Sequence, residues 1–273
     1  MNKKINIVLS LASMLAHFGE EKLSTTSLAR VQEFAIDGKK VKIPVYSGNA
    51  FRGQCRRLIM DDFLKLAEIE AVSAKMYHTL FAGGALVSGL SLSSMEDKRK
   101  LFEMIPPLAL LGTALGDAIF QGKCQFGICY PVCKELNEFN SKQSDVSYRT
   151  YISDTFHTRH DDTKNKVLNL SDEKQSENPV QMKYDFEGLV AGTELETSVN
   201  IAECNEVELS CLNRMLKLFR DSEHIGGKSS IGYGKFKFDA DSDIEDDTVY
   251  LDYINEKKSD IQKYVLDLSK KLK

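Results

Sequence analysis

The stretch from Lys42 to Asp62 constrains this chain most, because it prescribes a strand, a tight corner and a helix in succession. A short apolar strand, residues 43–45, runs into the polar corner Ser47-Gly48-Asn49. Ser47 or Asn49 is a suitable helix N-cap, and the unpaired N–H groups and positive dipole end of such a helix face outward. The corner therefore predicts a site that accepts an anion.

The predicted helix after this corner has two faces. Its apolar residues recur at helical spacing and indicate a buried face: Phe51, Cys55, Leu58, Ile59, Phe63 and Leu66. Arg52 and Arg56 lie four residues apart and share another face, which Arg57 extends. Between Gly38 and Met60 there are six basic residues and no acidic one, although the whole chain has a net charge of -4. We expect the helix to pack on one side and to offer positive charge on the other.

The residues before this helix predict one strand and an insertion. Apolar residues alternate with polar ones from Ile5 to Leu11, which indicates a half-buried first strand. Residues 17–27 are polar without periodicity and predict a loop. Asp37-Gly38 stands between two alternating runs and is a strong signal for a β-hairpin. We therefore expect residues 17–42 to form a loop and a protruding hairpin.

The middle of the chain predicts helices, one strand and a long polar excursion. Residues 71–120 are mainly helical in pattern, interrupted by a glycine- and serine-rich segment and by two prolines, and residues 122–132 predict a strand. Residues 137–180 are too polar and too long for an ordinary connection, so we expect them to be partly disordered or ordered on a partner. This excursion mixes aromatic and cationic side chains that suit bases and phosphates: Tyr148, Arg149, Tyr151, Phe156, His157, Arg159 and His160.

The last third of the chain is more regular. Residues 183–201 alternate through two strands about Gly192, and residues 207–221 predict an amphipathic helix. A loop with four glycines and three lysines follows: Gly226, Gly227, Lys228, Gly232, Gly234, Lys235 and Lys237. Such a backbone can lie close to a ligand, although its spacing matches neither the Walker nor the dinucleotide-binding pattern. Residues 239–252 hold seven acidic residues and no basic one, and we expect a solvated face there.

Composition limits the classes of protein to which the chain can belong. No apolar run reaches the roughly 18–20 residues needed to cross a bilayer, and the N-terminus gives no convincing signal peptide. We expect a cytoplasmic protein with no membrane partner, whose six cysteines stay reduced. Cys124, Cys129 and Cys133 are spaced by five and four residues, which is not a zinc-binding pattern. We expect neither a metal nor a cofactor.

Five segments carry a resemblance to a known family. The order of elements is compatible with a βαββαβ ferredoxin-like sheet with large insertions. The segments IPVYSGNAFRGQCRRL, GICYPVCKEL, FEGLVAGTELE, VELSCLNRMLKL and IGGKSSIGYGKF, in this order, resemble the RAMP superfamily of CRISPR-associated proteins. More narrowly, residues 4–238 are similar to the backbone subunit of crRNA-guided effector complexes, Cas family seven. IPVYSGNAFRG together with TFHTRHDD is most similar to type IV systems, and then to type I-D.

This resemblance implies an α+β fold shaped like a right hand. Residues 1–16, 43–136 and 181–240 would form an RRM-like palm with a helical finger or web, and residues 17–42 an inserted loop and hairpin. Residues 137–180 would be a thumb-like insertion, and residues 241–273 an acidic segment with a C-terminal helix. Several copies would polymerise along one crRNA in a helical filament and bind its sugar-phosphate backbone. The guide bases would then pair with target DNA or RNA, and other CRISPR effector subunits would complete the assembly.

The resemblance also implies three groups of RNA-binding residues. The first group matches the phosphate-cradling motif at the head of the first helix and its basic face: Ser47, Gly48, Asn49, Arg52, Arg56 and Arg57. The second matches a glycine-rich loop that lies by the RNA or supports the palm: Gly226, Gly227, Lys228 and Ser229. The third lies in the two insertions: Arg30, Lys42, Tyr148, Arg149, His157 and Arg159.

Two alternatives stay open at this point. A RAMP endoribonuclease for crRNA processing or target RNA cleavage would use a histidine or an aspartate as a general base. The candidates are His17, His157, His160, His224 and Asp37. Asp37 already serves as the first residue of the Asp-Gly turn, and we expect a non-catalytic scaffold. A standalone RRM-like module would stack bases on aromatic residues of a strand, for which GYGKFKF is a rough match.

Overall fold

The computed structural model describes residues 1–86, 94–160 and 181–272, which fold into an α+β protein of mainly antiparallel sheets and packed helices. Its strands are β1 (Lys3–Leu11), β2 (Phe18–Leu23), β3 (Thr26–Ala29), β4 (Val31–Ile36), β5 (Lys39–Pro44), β6 (Thr113–Leu115), β7 (Ala118–Phe120), β8 (Cys124–Phe126), β9 (Tyr130–Pro131), β10 (Ile152–His160), β11 (Gln181–Leu189), β12 (Glu194–Ile201) and β13 (Phe236–Ala240). Its helices are α1 (Gly48–Leu66), α2 (Ala74–Tyr77), α3 (Met95–Met104), α4 (Pro106–Leu111), α5 (Glu206–Asp221), α6 (Thr248–Glu256) and α7 (Lys258–Lys271).

The palm is an antiparallel sheet with the strand order β13, β1, β12, β8. The short strand β9 also pairs with β12, so that β8 and β9 together form the interrupted strand predicted for residues 122–132. Helix α1 lies between β1 and β8 in the chain, and α5 lies between β12 and β13. This is the β-α-β-β-α-β arrangement of the ferredoxin-like fold, which confirms the predicted fold class.

One face of the palm is buried under α1 and α5. On β1, the period-two pattern directs Ile5, Ile7 and Leu9 to this face, and all three are fully buried. Phe51 of α1 and Phe219 of α5 meet above the sheet with ring centroids 4.6 Å apart. This packing holds α1 in place, so the position of its first turn is set by the core.

A second sheet joins the two inserted regions in the strand order β10, β11, β3, β2. Residues 17–27, predicted as a loop, instead contribute most of the hairpin β2–β3, whose polar sequence is typical of an exposed edge. The sequence also predicts residues 181–189 within the palm, whereas β11 pairs with β10 and β3. Alternation identifies a strand, but its partner depends on residues distant in sequence. Residues 161–180 of the predicted thumb lie outside the described residues.

The hairpin β4–β5 is present where the sequence predicts it. Asp37 and Gly38 have φ angles of 48° and 73°, the left-handed conformation that a tight two-residue hairpin turn requires. Phe34 of this hairpin is buried and packs edge-on against Tyr130 and Phe139, with ring centroids 5.7 Å apart in both pairs. The hairpin therefore packs along one side of the palm.

Residues 74–86 and 94–120 form a segment, here named the finger, that lies against α1. Within the described part of this region, a π-helical turn (His78–Ala82) continues α2, and α3 and α4 follow with Pro106 at the first position of α4. The finger ends in the short hairpin β6–β7. The sequence did not predict this hairpin, because the pattern of residues 71–120 is mainly helical. The glycine- and serine-rich interruption falls largely on residues 87–93, which lie outside the described residues.

The acidic C-terminal segment folds back onto α5. Asp247 is only 5% exposed, and its carboxylate pairs with Arg214 at 3.3 Å and with Lys217 at 3.0 Å. Arg214 also pairs with Asp62 of α1 at 2.6 Å. The expectation of a solvated acidic face is therefore wrong for Asp247, because basic residues one turn apart on α5 lie opposite it.

The cysteines are buried thiols without disulfide bonds. Burial raises the pKa of Cys124 and of Cys129 to about 12, so both stay protonated. Across residues 1–86, 94–160 and 181–272, no three His, Cys, Asp or Glu side chains are grouped so that they could hold a metal ion. No helix in the described part of the chain is long and apolar enough to span a membrane.

Replacement of Arg214 by alanine tests the junction of α1, α5 and the C-terminal segment. Arg214→Ala leaves the carboxylates of Asp62 and Asp247 partly unpaired in a buried setting, and we expect the free energy of unfolding to fall by about 2–3 kcal/mol. The exposed pair of Lys65 with Asp61 supplies a control, Lys65→Ala, which should leave this free energy nearly unchanged. Urea unfolding measures both variants, and equal losses would contradict the prediction.

Candidate nucleic-acid interface

A cleft of about 400 Å³ opens at the N-terminal end of α1. Four segments distant in sequence line it: His17 after β1, the first turns of α1, Gly226 of the glycine-rich loop, and Phe81 with Ala82 of the finger. The first and third segments are joined directly, since the Gly227 N–H donates to the Ala16 carbonyl at 2.7 Å. The structure thus brings the head of α1 and the glycine-rich loop, which the sequence singles out separately, to one place.

The head of α1 has the geometry predicted for an anion site. Ser47 is the N-cap, with an extended backbone, and its hydroxyl accepts a hydrogen bond from the Ala50 N–H at 3.3 Å. Asn49 is exposed and lines the cleft, and the first turn holds no acidic residue that would neutralise the helix dipole. Gly48 is required sterically, because a Cβ there would lie 2.8 Å from the Gly127 carbonyl oxygen.

His17 supports this head as a neutral hydrogen-bond acceptor. Its Nε2 accepts from the Ser47 N–H at 3.3 Å and lies 3.2 Å from the Ser47 hydroxyl. Burial, together with the nearby charge of Arg30, lowers the pKa of His17 from 6.5 to about 4. The ring is therefore neutral near pH 7, with its hydrogen on Nδ1, and it orients the N-cap residue.

Arg56 is buried, so the prediction of an exposed basic face is wrong for this residue. Its side chain is 2% exposed, and its guanidinium donates to the carbonyls of Leu80 at 2.9 Å, Leu111 at 2.8 Å and Gly112 at 2.6 Å. Desolvation and the neighbouring Arg52 lower the pKa of Arg56 to about 10. Helical spacing places Arg52 and Arg56 on one face, but the finger covers that face around Arg56. Arg56 therefore holds the finger on α1 and has little surface to offer a phosphate.

The accessible cations at the cleft are the other arginines. Arg52 is partly buried, donates to the Leu111 carbonyl and also lines the cleft. Arg57 lines the cleft, is exposed, and makes no ion pair with any described residue. Arg30 does not line the cleft but lies beside it, exposed and close enough to His17 to lower the pKa of that residue. Lys42 instead lies on β5, where it pairs with Glu21 at 3.1 Å.

The glycine-rich loop approaches the rest of the protein closely. Gly226 has a φ of 75°, and a Cβ there would lie 2.6 Å from the Ala16 carbonyl oxygen. At Gly234 a Cβ would lie 1.8 Å from the Ile225 carbonyl oxygen. Gly227 and Ser229 remain exposed beside the cleft-lining Gly226. Glycine is therefore needed here so that the backbone can form one wall of the cleft.

Lys228 and His157 connect this loop to the second sheet. The Lys228 ammonium lies 4.2 Å from the ring centroid of Tyr184 and 5.1 Å from that of Phe186. His157 stacks on the Tyr184 ring, and its Nε2 lies 2.9 Å from the Tyr233 hydroxyl. Neither residue lines the cleft. Their contacts hold β10 and β11 against the glycine-rich loop by cation–π and aromatic packing.

The remaining predicted residues lie away from the cleft. Tyr148 packs against the apolar side of the β4–β5 hairpin, and the exposed Arg149 lies over its ring at 6.0 Å. The backbone of Arg159 belongs to β10, but its side chain, like that of His160, lies outside the described residues.

Sequence reasoning missed Phe81, which lines the cleft and stacks with Tyr77 four residues earlier. The spacing of four was a signal that could have paired them.

The candidate nuclease residues are dispersed. Asp37 is exposed at the tip of the β4–β5 hairpin, and His224 lies beside α5, with its Nδ1 3.3 Å from the Ser222 carbonyl oxygen. Among the described side chains, neither His17, His157 nor His224 forms an ion pair with a carboxylate.

These features define an α+β protein of ferredoxin-like topology with a cationic cleft at the head of its first helix. No family model and no curated protein matches the chain. A chain of a solved structure described as a type IV-B CRISPR complex is similar to it, with a TM-score of 0.66 and 20% sequence identity. The likeness covers 88% of this chain and 91% of that one, and it shows that the two share a fold.

Two adjacent arginines of α1 should differ sharply in their effect on stability. Arg56→Ala removes a buried donor from three carbonyls, although Arg52 still donates to that of Leu111, and we expect the free energy of unfolding to fall by about 3 kcal/mol. Arg57→Ala, at the next position, should change it by less than about 0.5 kcal/mol because the side chain is exposed. Urea unfolding compares the two, and a stable Arg56→Ala variant would show that the finger is held by other contacts.

The lowered pKa of His17 predicts a pH-dependent part of the stability. The unfolded chain binds a proton at this histidine below about pH 6.5, whereas the folded chain does so only near pH 4. The part of the unfolding free energy that depends on neutral His17 is therefore fully present above pH 6.5 and is lost as the pH falls to about 4. His17→Gln keeps an acceptor but cannot titrate, so its unfolding free energy should vary less with pH across this window. Curves that vary equally for both proteins would contradict the prediction.

Proposed function

We propose that this chain is a backbone subunit of a CRISPR ribonucleoprotein effector complex, which polymerises along crRNA and binds its sugar-phosphate backbone. The observation that carries the proposal is the shared fold, over most of both chains, with a chain of a type IV-B CRISPR complex. The family resemblance in the five sequence segments supports the same function. In this proposal the guide bases remain free to pair with target DNA or RNA, and other effector subunits join the assembly.

The cleft supplies the chemistry that this function needs. A phosphate can accept hydrogen bonds from N–H groups at the head of α1, while Arg57 and Arg52 contribute positive charge. These groups recognise the backbone of a nucleic acid and not its bases, as a subunit that serves every guide sequence requires. Each site can be weak, because neighbouring copies on one strand raise the effective concentration of one another.

We further propose that the subunit is a non-catalytic scaffold. The histidine at the cleft has its Nε2 lone pair engaged by Ser47, so it is poorly placed to take a proton from an RNA hydroxyl. The endoribonuclease alternative is tested by incubating the protein with labelled repeat RNA and labelled target RNA. Specific cuts that disappear in the His17→Gln or Asp37→Ala variant would replace the scaffold proposal.

The standalone RRM-like alternative has less support. Phe236 and Phe238 of the GYGKFKF segment lie near Phe219 of α5, with ring centroids 5.2 and 6.3 Å away. Phe236 is buried in the core and the half-buried Phe238 packs against it, so both rings face α5 and not the open face of the sheet. We therefore place the RNA at the cleft on the helical side of the protein.

Co-expression with a CRISPR array tests the proposed assembly. We expect the purified chain to carry RNA of about guide length and to form helical particles in negative-stain images. A chain that stays monomeric and carries no RNA under these conditions would overturn the proposal. Particles that contain no RNA would support the proposed self-assembly of the chain but contradict guide binding.

Substitutions at the cleft give a quantitative test. The double variant Arg30→Ala, Arg57→Ala should weaken RNA binding to a similar degree for unrelated sequences. The slope of log affinity against log salt should also decrease by roughly one for each phosphate contact that is lost. Lys270→Ala, an exposed lysine of α7, is the matched control and should bind RNA as the unmodified chain does. A loss that depends on the RNA sequence would contradict phosphate recognition.

A further inference from the structure

Two stacked aromatic rings, one half-buried and one exposed, lie next to the cleft. The rings of Tyr77 and Phe81 are nearly parallel, at 19°, with centroids 4.5 Å apart. Phe81 lines the cleft on one side of this pair, while Tyr77 is 52% exposed on the other. A large aromatic side chain exposed to this degree leaves much of its ring surface accessible for a further contact.

The backbone that carries these rings is held firmly. Met76 and Leu80 of the same turn are fully buried. The Leu80 carbonyl accepts from the Arg56 guanidinium at 2.9 Å, and the Thr79 carbonyl accepts from the Thr113 hydroxyl at 3.0 Å. The π-helical turn, His78–Ala82, widens the helix at this point, a feature frequently found at functional sites. Tyr77 is therefore exposed on a rigid support, which lowers the entropy cost of binding.

The surroundings indicate what would cover the exposed ring. Phe81 shares the cleft with the cations Arg52 and Arg57, so positive charge and aromatic surface lie next to each other. This combination is typical of single-stranded nucleic-acid binding, where basic groups follow the phosphates and aromatic rings stack the bases. Stacking on a ring is also tolerant of sequence, because every base has a π-face.

We propose that Tyr77 is a stacking platform for one nucleobase of the RNA strand whose phosphate occupies the cleft. This inference rests on the proposed function, since it concerns the same bound strand. The base would extend the Phe81–Tyr77 stack outward, and its neighbours would stay free to pair. Tyr77 thereby holds the strand in position through a base without reading the identity of that base.

Equilibrium binding of single-stranded RNA by fluorescence anisotropy tests the platform. Tyr77→Ala should weaken binding about tenfold, the effect expected for one lost stacked base, with an unchanged salt slope. Tyr77→Phe keeps the ring and should bind as the unmodified chain does. The matched control is Ile119→Ala, which removes an apolar side chain that is 74% exposed on the β6–β7 hairpin of the same finger. Circular dichroism checks that each variant is folded.

An RNA of the same length in which abasic sites replace the bases separates stacking from other effects. The unmodified chain and Tyr77→Ala should bind this probe equally, because neither can stack on it. Equal binding of ordinary RNA by both proteins would overturn the platform, and a loss of filament assembly without loss of RNA affinity would assign Tyr77 to a protein contact. If the unmodified chain fails to bind ordinary RNA, the proposed function itself falls. If the unmodified chain binds RNA, Arg57→Ala lowers the salt slope and Tyr77→Ala leaves the affinity unchanged, the proposed function stands and only the stacking role of Tyr77 is contradicted.

Discussion

The position of the finger depends on one buried cation, Arg56. Its guanidinium binds carbonyls at the end of α4 and in the π-helical turn, so two separate parts of the finger are attached to one residue of α1. A buried arginine is costly unless its donors are satisfied, and here backbone carbonyls with partial negative charge satisfy them. Because α1 also packs on the palm, this contact sets the finger wall of the cleft relative to the head of the helix.

The other wall depends on close backbone contacts. Gly226 and Gly227 bring the glycine-rich loop against Ala16, next to His17 and therefore next to the N-cap Ser47. The same loop reaches the second sheet through Lys228, which lies over Tyr184. Palm, finger and glycine-rich loop thus all meet around the cleft. A strand bound there would contact all three, which is the arrangement that the proposed guide-binding role requires.

Charge is separated across the molecule in a way that the net value of -4 conceals. The C-terminal acidic residue Asp247 is paired with Arg214 and Lys217 of α5. Arg57, at the cleft, has no carboxylate partner among the described residues. An acidic protein can therefore present a cationic site, because local pairing and not total charge decides which cations stay available.

The sequence by itself determined the local elements: the first strand, the Asp37-Gly38 turn and the capped start of α1 at residues 47–49. Each depends on periodicity or on turn chemistry within a few residues, which a single sequence displays. Only the tertiary structure decided which of two adjacent arginines is buried, where β11 pairs, and that Phe81 joins the cleft. These outcomes depend on segments that lie far apart in the chain, and helical or strand spacing shows a shared face without showing what covers it.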